Sequence, residues 1–356
     1  MSLNQFLDNA MSEWMRVKGA ESDVIFSSRV RIARNLSHMP FPMLSTASQS
    51  EEVIHLIEDA LMKEDIPEIL ENAELIHMAD LTDLQKRVLV EKHLISPHLA
   101  EESTSGAVLF SQDESVSIMV NEEDHVRIQC LFPGFQLEKA WQLASQIDDW
   151  LEKHVSFAFD EQCGYLTSCP TNVGTGIRAS VMIHLPALAL TQQLNRFIPA
   201  ITQVGLAVRG IYGEGSEALG NLYQVSNQVT LGQSEEEIIN KLQGVVRQMI
   251  DHEKQARERL LGMSPIQLED RVTRSFGILG HARIIDSKEA MKRLSDVRLG
   301  IDLDLLTGVP SSVMNELMVL IQPGFLQQYA GEKLGAEERD VRRAQLIRER
   351  FGMEKD

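Results

Sequence analysis

The chain has 356 residues, 43% of them hydrophobic, and 52 Asp and Glu against 34 Lys and Arg, for a formal charge of −18 and a pI near 5.0. Such a length buries a large core and is expected to form two domains, while the acid excess argues against general binding to nucleic acid. No apolar run approaches the ~20 residues of a membrane span; MSLNQFLDNAMSEWM is amphipathic and carries acids, unlike a secretory leader; Cys130, Cys163 and Cys169 have neither a zinc spacing nor an even count, so a cytoplasmic protein is expected.

An N-terminal helix is predicted from about Leu3 to Val17. In the SSRVRIAR that follows, Arg29 and Arg31 alternate with Val30 and Ile32, so an extended segment sends both guanidiniums from one face and the apolar residues into the core. The pair is a clamp for an anion, or else two surface arginines taken up by nearby acids. A helix around Ser48 to Lys63 precedes the LTDLQKR segment after His77. SVSIMV (Ser115 to Val120) alternates like a half-buried strand and runs into NEEDHVR (Asn121 to Arg127), where Glu122 and Glu123 stand beside a histidine and an arginine. That cluster is either a solvated acidic turn or a set of side chains converging on a cleft.

A helix is predicted from Leu137 to His154, then a hairpin over Phe157 to Cys169 around Gly164. In CPTNVGTGIRAS (Cys169 to Ser180), Gly174 and Gly176 let a ligand approach the backbone, Arg178 adds charge, and SVMIHL continues as a strand. GTGIRAS also fits a loose G-x-G-x-x-S, but it lacks the preceding apolar strand and the crossover helix of a dinucleotide site. A second helix runs from Pro186 past Phe197, VGLAVR ends in Arg209, and the glycines at 210, 213 and 215 make a flexible loop that presents Glu214 before NLYQVSNQ returns as a strand. Strands separated by turns and helices without regular βα alternation predict an α+β fold, a mostly antiparallel sheet with helices packed on it.

A boundary signal follows Gly232. Ser234 and Glu237 form a capping box, and Leu242, Val245, Val246, Met249, Ala256 and Leu260 mark one stripe of a long helix that Gly262 and Pro265 end. The rest is helical, with turns at Gly280, Gly300, Gly308 to Ser312 and Pro323-Gly324. The division expected is 1–250 for the sheet-bearing domain and 251–356 for an all-α domain that packs on the first, pairs two copies or captures substrate, with dimerisation favoured.

Arginines 29, 31, 127, 178 and 209 and carboxylates 122, 123 and 214 thus lie at the ends of separate strand-like runs. Five arginines aimed at one place need a polyanion, and guanidiniums hold phosphate oxygens with paired hydrogen bonds, which suits a triphosphate. Carboxylates would repel it, so they point to a cationic second substrate. A guanidinium fits, because it becomes a nucleophile only when carboxylates orient it and accept a proton.

With these residues in order, the chain resembles the phosphagen kinases (creatine kinase, arginine kinase) through SSRVRIAR, NEEDHVRI, CPTNVGTGIR and RGIYGEGSE, over roughly Asp23 to Gly232. It is most similar to the bacterial branch that phosphorylates arginine side chains in proteins. The small-guanidine enzymes carry a helical domain before the clamp that closes over a small substrate; here Arg29 follows 28 residues, and a C-terminal extension that those enzymes lack is present. The resemblance implies a phosphagen-kinase-like catalytic domain using ATP, with Mg2+ held mainly by the phosphates and water. It implies nucleotide contacts from Ser27, Ser28, Arg29, Val30, Arg31, His93, Arg127, Arg178, Ala179, Ser180, Val181, Met182, Arg209, Gly210, Ile211, Tyr212 and Gly213. His93, in VEKHLIS, is otherwise a helix-surface histidine. Glu123 matches the carboxylate that accepts the guanidinium proton, Glu214 the one that fixes its orientation, and Cys169 the cysteine beside it. Where the family has His-Thr after that second carboxylate, Gly215 and Ser216 stand here.

The C-terminal ERDVRRAQLIRER carries Arg339, Asp340, Arg343 and Ala344, which match an RDxxRA pattern that the resemblance associates with an allosteric phosphoarginine pocket. The plainer reading is a helix surface with an i,i+3 salt bridge. The resemblance further implies stress-response and protein-quality-control partners: a heat-shock transcription repressor, a zinc-binding activator and a Clp-type protease, beside protein substrates with exposed arginine. The functions expected are a protein-arginine kinase with direct in-line transfer, a small-guanidine kinase, or a noncatalytic ATP-binding adaptor.

Overall fold

The computed structural model describes residues 12, 15, 17–103, 105–210 and 218–353, so the helix expected from Leu3 to Val17 lies almost wholly outside the described residues. In chain order the strands are β1 (Ile25–Arg34), β2 (Glu74–His77), β3 (Ala107–Phe110), β4 (Val116–Val120), β5 (Val126–Pro133), β6 (Phe159–Asp160), β7 (Gly164–Tyr165), β8 (Ile177–His184), β9 (Leu206–Gly210) and β10 (Leu222–Asn227). The α-helices are α1 (Ala47–Leu61), α2 (Asp83–Glu91), α3 (Pro97–Glu101), α4 (Leu137–Glu152), α5 (Pro186–Leu190), α6 (Leu194–Gln203), α7 (Glu235–Met263), α8 (Pro265–His281), α9 (Ser287–Asp302), α10 (Ser311–Leu320), α11 (Pro323–Ala330) and α12 (Ala336–Arg350). The fold is the expected mixed α+β domain followed by helices.

Eight strands form one sheet in the order β2-β3-β4-β5-β1-β8-β10-β9, each neighbouring pair antiparallel. β6 and β7 make the separate hairpin expected around Gly164, which takes φ 76°, and Asp160 secures its turn by accepting from the amides of Gln162 and Cys163. The alternation read in SSRVRIAR places Val30 and Ile32 on the sheet face that carries Ile128, Cys130, Ala179 and Val181. That face packs on α1, α4 and the first half of α7 in one continuous core that includes Ile54, Ile147, Leu242 and Val246. The capping box at the start of α7 is formed, with Ser234 and Glu237 exchanging bonds, and its apolar stripe is buried or half-buried as predicted. Position 250/251 falls inside α7, which is continuous from Glu235 to Met263.

Three expectations are corrected. β4 is buried on both faces, because Met119 on its second face joins Val108, Phe110 and Leu131 in a core completed by Val319, Leu320, Phe325, Leu326 and Leu346 of the C-terminal helices. Gly280 and Gly300 do not break the chain: they lie inside α8 and α9, where the absence of a Cβ at Gly300 leaves room for Val272. Pro323-Gly324 is the first turn of α11, a position where proline's missing N–H costs nothing. The outcome is a sheet covered on one face and, on the other, by C-terminal helices at its β2 to β5 end and again beside Met182, His184 and Leu222 of β8 and β10. The bare central strip of that second face is where the arginines point.

Candidate active site

Cross-strand register decides which side chains share this strip. Arg31 lies opposite Gln129 of β5 and Arg178 of β8; Arg29 lies opposite Leu131 and Ser180; Ala33 lies opposite Arg127. Because directly opposed residues in a sheet project to the same face, these side chains form one row. β10 and β9 extend it, with Gln224 opposite both Met182 and Arg209. A cleft of about 320 Å³ lies over this row, lined among others by Arg29, Arg31, His93, Glu123, Arg127, Cys169, Arg178 and Arg209. Ala33 and the bare backbone of Gly176 form part of its lining. Gly176 has φ 67°, and a Cβ there would stand 2.6 Å from the Ala33 carbonyl oxygen.

The cations are crowded. Burial, then Arg178 and Arg127, depress Arg29 to about 10, and burial with Arg29, Arg127 and Arg178 pushes Arg31 well below the ordinary arginine range. Arg29 donates to Gln224 Oε1 at 2.9 Å and to Ser180 Oγ at 3.4 Å, whereas the Nε of Arg31 is buried without a hydrogen-bond partner. Arg127 differs. It bridges Glu122 at 2.7 Å and Glu123 at 2.8 Å, and these carboxylates with Asp124 outweigh its burial and raise its pKa. Glu122 is buried and also takes the Ser96 hydroxyl at 2.6 Å, while the Glu123 side chain is 37% exposed at the rim. His93 sits past the end of α2 at φ 60°, its carbonyl bonded by Gln129, so it is not a helix-surface residue. Burial and then Arg29 lower its imidazole to about 4.

Cys169 reaches the cleft from the loop between β7 and β8, its Sγ 3.0 Å from Thr171 Oγ1. That loop is held from behind: Thr230 Oγ1 donates to the carbonyls of Thr171 and Val173, and Gly174, at φ 112°, packs against the Thr230 carbonyl.

Of the residues expected to contact nucleotide, Arg29, Arg31, His93, Arg127, Arg178, Arg209 and Gly210 line the cleft, and Ser27, Ser180 and Met182 line a narrow recess that shares Arg29, His93 and Gln224 with it. Val30, Ala179 and Val181 turn their side chains into the opposite core, and Ser28 is buried, donating to the Gly134 carbonyl and accepting from the Gln136 amide. The structure does not bring those four side chains to the cleft. Ile211, Tyr212, Gly213 and Glu214 lie outside the described residues. Gln129, Gln224, Ser96 and Asn172 line the cleft unforeseen. Gln129 was discoverable, since it lies two residues from Arg127 on the same strand, β5.

In α12, Arg343 is buried and donates to the carbonyls of Ile321 and Ile285 and to Asp340 at 2.5 Å; Ala344 is core, and Arg339 donates to the Leu334 carbonyl. The i,i+3 pair of the plainer reading therefore exists, but its arginine is buried instead of exposed. Among the described residues, no cluster of three His, Cys, Asp or Glu could hold a metal ion, and no helix is long and apolar enough to cross a membrane.

Residues 38–256 match the family model for the ATP:guanido phosphotransferase C-terminal catalytic domain, and residues 265–356 that for the protein-arginine kinase McsB C-terminal domain. The chain is 62% identical over 354 residues to a protein-arginine kinase of Halalkalibacterium halodurans, covering 99% of both chains. It is 58% identical to that of Bacillus subtilis, covering 99% of this chain and 97% of the relative. Among solved structures, a lombricine kinase superposes with TM-score 0.58 at 23% identity, over 71% of this chain and 75% of the other. A duplicated taurocyamine kinase of Schistosoma mansoni with bound transition state analog components gives 0.61 at 22% identity, over 74% and 39%. These two likenesses concern the fold.

Proposed function

The chain belongs to the ATP:guanido phosphotransferase family and within it to the protein-arginine kinases, and from that premise we propose how this cleft carries out ATP-dependent phosphorylation of arginine in proteins. The observation that carries the reading is the row of Arg29, Arg31, Arg127 and Arg178 on one sheet face, with a carboxylate and a thiol at its rim. Crowded cations that lower one another's pKa are stabilised by a polyanion, and a triphosphate supplies one. Arg29, Arg31, Arg178 and Arg209 hold the phosphates in line, and Arg127, already tethered to Glu122 and Glu123, ties the phosphate end to the acceptor end.

Glu123 accepts a proton from the acceptor guanidinium as the nitrogen attacks the γ-phosphorus and the bond to the bridging oxygen breaks. Glu214 orients that guanidinium, and Cys169 lies beside it without forming a covalent bond. Magnesium would be held by the nucleotide phosphates, where it would screen their charge beside the arginines that line the cleft. Glu123→Gln is expected to lower kcat by roughly 100- to 10,000-fold with ATP affinity within a few-fold. The check is transfer to an unfolded arginine-containing protein, read by mass spectrometry under non-acidic conditions, beside nucleotide titration. Affinity that collapses together with turnover would remove the assignment of Glu123 as the proton acceptor. Phosphate on free arginine or creatine but not on protein would favour the small-guanidine reading.

Transfer is assigned to 1–250, while 251–356 mediates dimerisation and binds phosphoarginine through Arg339, Asp340, Arg343 and Ala344. The absence of an apolar spanning helix among the described residues is compatible with work in the cytoplasm, in stress response and protein quality control, with a heat-shock repressor, a zinc-binding activator and a Clp-type protease as partners. Failure of all three to co-purify with the kinase after heat shock would remove that setting and leave the chemistry standing.

A further inference from the structure

We infer that Asp124 is a positioning residue: it clasps the loop that carries Cys169 to the turn that carries Glu123, and so sets the distance across which the acceptor guanidinium is held. The inference deepens the kinase reading and rests on it. Asp124 follows Glu123 directly and is fully buried. Its Oδ1 accepts two hydrogen bonds from different parts of the chain, from the backbone amide of Ser168 at 2.7 Å and from Asn35 Nδ2 at 2.7 Å. Ser168 adjoins Cys169. Asn35 follows the last residue of β1 and closes the joint from its other side, accepting from the His125 amide at 2.9 Å through Oδ1 and donating to the Leu166 carbonyl at 3.2 Å. One carboxylate and one amide thereby tie together the end of the strand that bears Arg29 and Arg31, the turn that bears Glu123 and the loop that bears Cys169.

A joint serving stability alone would be expected to leave no polar atom unmatched, since a buried unpaired group costs about 1–3 kcal/mol. This one leaves two: Asp124 Oδ2 and Ser168 Oγ are both buried without a hydrogen-bond partner. A carboxylate kept buried with one oxygen unmatched, between the two groups that flank the acceptor, is placed for alignment. In-line transfer rewards it, because a shift of about 1 Å at the reacting atoms can cost on the order of 100-fold in rate.

The test is Asp124→Asn, which keeps the shape but replaces one carboxylate oxygen by an NH2 group that cannot accept, in a joint built on acceptance from Ser168 and Asn35. It is assayed on an unfolded arginine-containing protein beside wild type. Expected are a fall in kcat of about 100-fold, a KM for ATP within two-fold, and a several-fold change in iodoacetamide alkylation of Cys169. Exposed Cys163 serves as the internal reference for that alkylation, since buried Cys130 does not report. Unchanged kcat, or a fall in kcat with Cys169 alkylation unmoved, overturns the inference while wild-type transfer still upholds the kinase reading. Inactive wild type with altered Cys169 alkylation in the variant would instead remove the kinase reading and leave the clasp between the two segments standing. Should the variant not fold, Asn35→Ala, which spares the carboxylate and its bond to Ser168, must show the same split between kcat and KM, and wild-type kinetics there would overturn the clasp.

Discussion

Three arginines in SSRVRIAR have two fates, set by parity. Arg29 and Arg31 face the cleft, whereas Arg34, on an even position, turns to the core side, where it pairs with Asp148 at 2.5 Å and lies 3.4 Å from the centre of the Tyr165 ring. A side-chain period of two makes that split readable from sequence. What parity cannot report is how close the arginines come across strands, and hence that they depress one another. His93 has a consequence of the same origin. Burial and Arg29 hold it at about 4, below its unfolded value near 6.5, so the unfolded chain binds a proton that the empty folded cleft refuses, and the apo protein loses stability as pH falls from about 6.5 to 4. Phosphate beside the imidazole would raise its pKa. The complex then binds more protons than the free protein, and ATP affinity is expected to rise as pH falls from 7 toward 5. Calorimetric titration across that range should show the slope in wild type and lose it in His93→Gln; a slope that persists in the variant would exclude His93 as its source.

At the scale of elements, α12 is fastened by Arg343. Its guanidinium reaches Ile321 at the end of α10 and Ile285 before α9, while the Asp340 carbonyl accepts the Ile285 amide. RDxxRA is therefore a latch between helices as well as the proposed ligand pocket, and phosphoarginine would compete for contacts that now hold α12 down. Asp340→Ala is expected to abolish phosphoarginine binding in calorimetry at a stability cost of only about 1 kcal/mol, since the Asp340 side chain is 31% exposed and partly screened. Retained binding would leave the segment a latch alone. β4 teaches the complementary lesson. Its alternation suggested one solvated face, yet the Ser117 hydroxyl accepts from Gln129 Nε2, and Met119 is covered by helices that lie about two hundred residues further along the chain.

Across the whole molecule, the C-terminal helices are built into the catalytic region instead of being hung from it. Glu91 of α2 accepts the Gly324 and Phe325 amides that begin α11, at 2.8 and 2.9 Å; Arg298 of α9 donates to the Ser22 carbonyl at 2.6 Å; and Phe325, Leu326 and Leu346 share a core with Leu89 and Phe110. A shared core couples unfolding, so calorimetry is expected to show one cooperative thermal transition for the full chain, and two resolved transitions would contradict the coupling. The sequence by itself determined the local quantities: strand parity, the capping box and stripe of α7, the hairpin at Gly164, and the ordered motifs that carry the family. Each depends on residues near one another in the chain, where steric and periodic rules act directly. Only the tertiary structure decided that β4 is covered on both faces, that Gln224 of β10 completes the cleft, and that Asp124 joins the Glu123 turn to the Cys169 loop. Sheet order and cross-strand register bring together residues 100 to 200 positions apart, and those pairings follow from packing the entire chain, which no local pattern encodes.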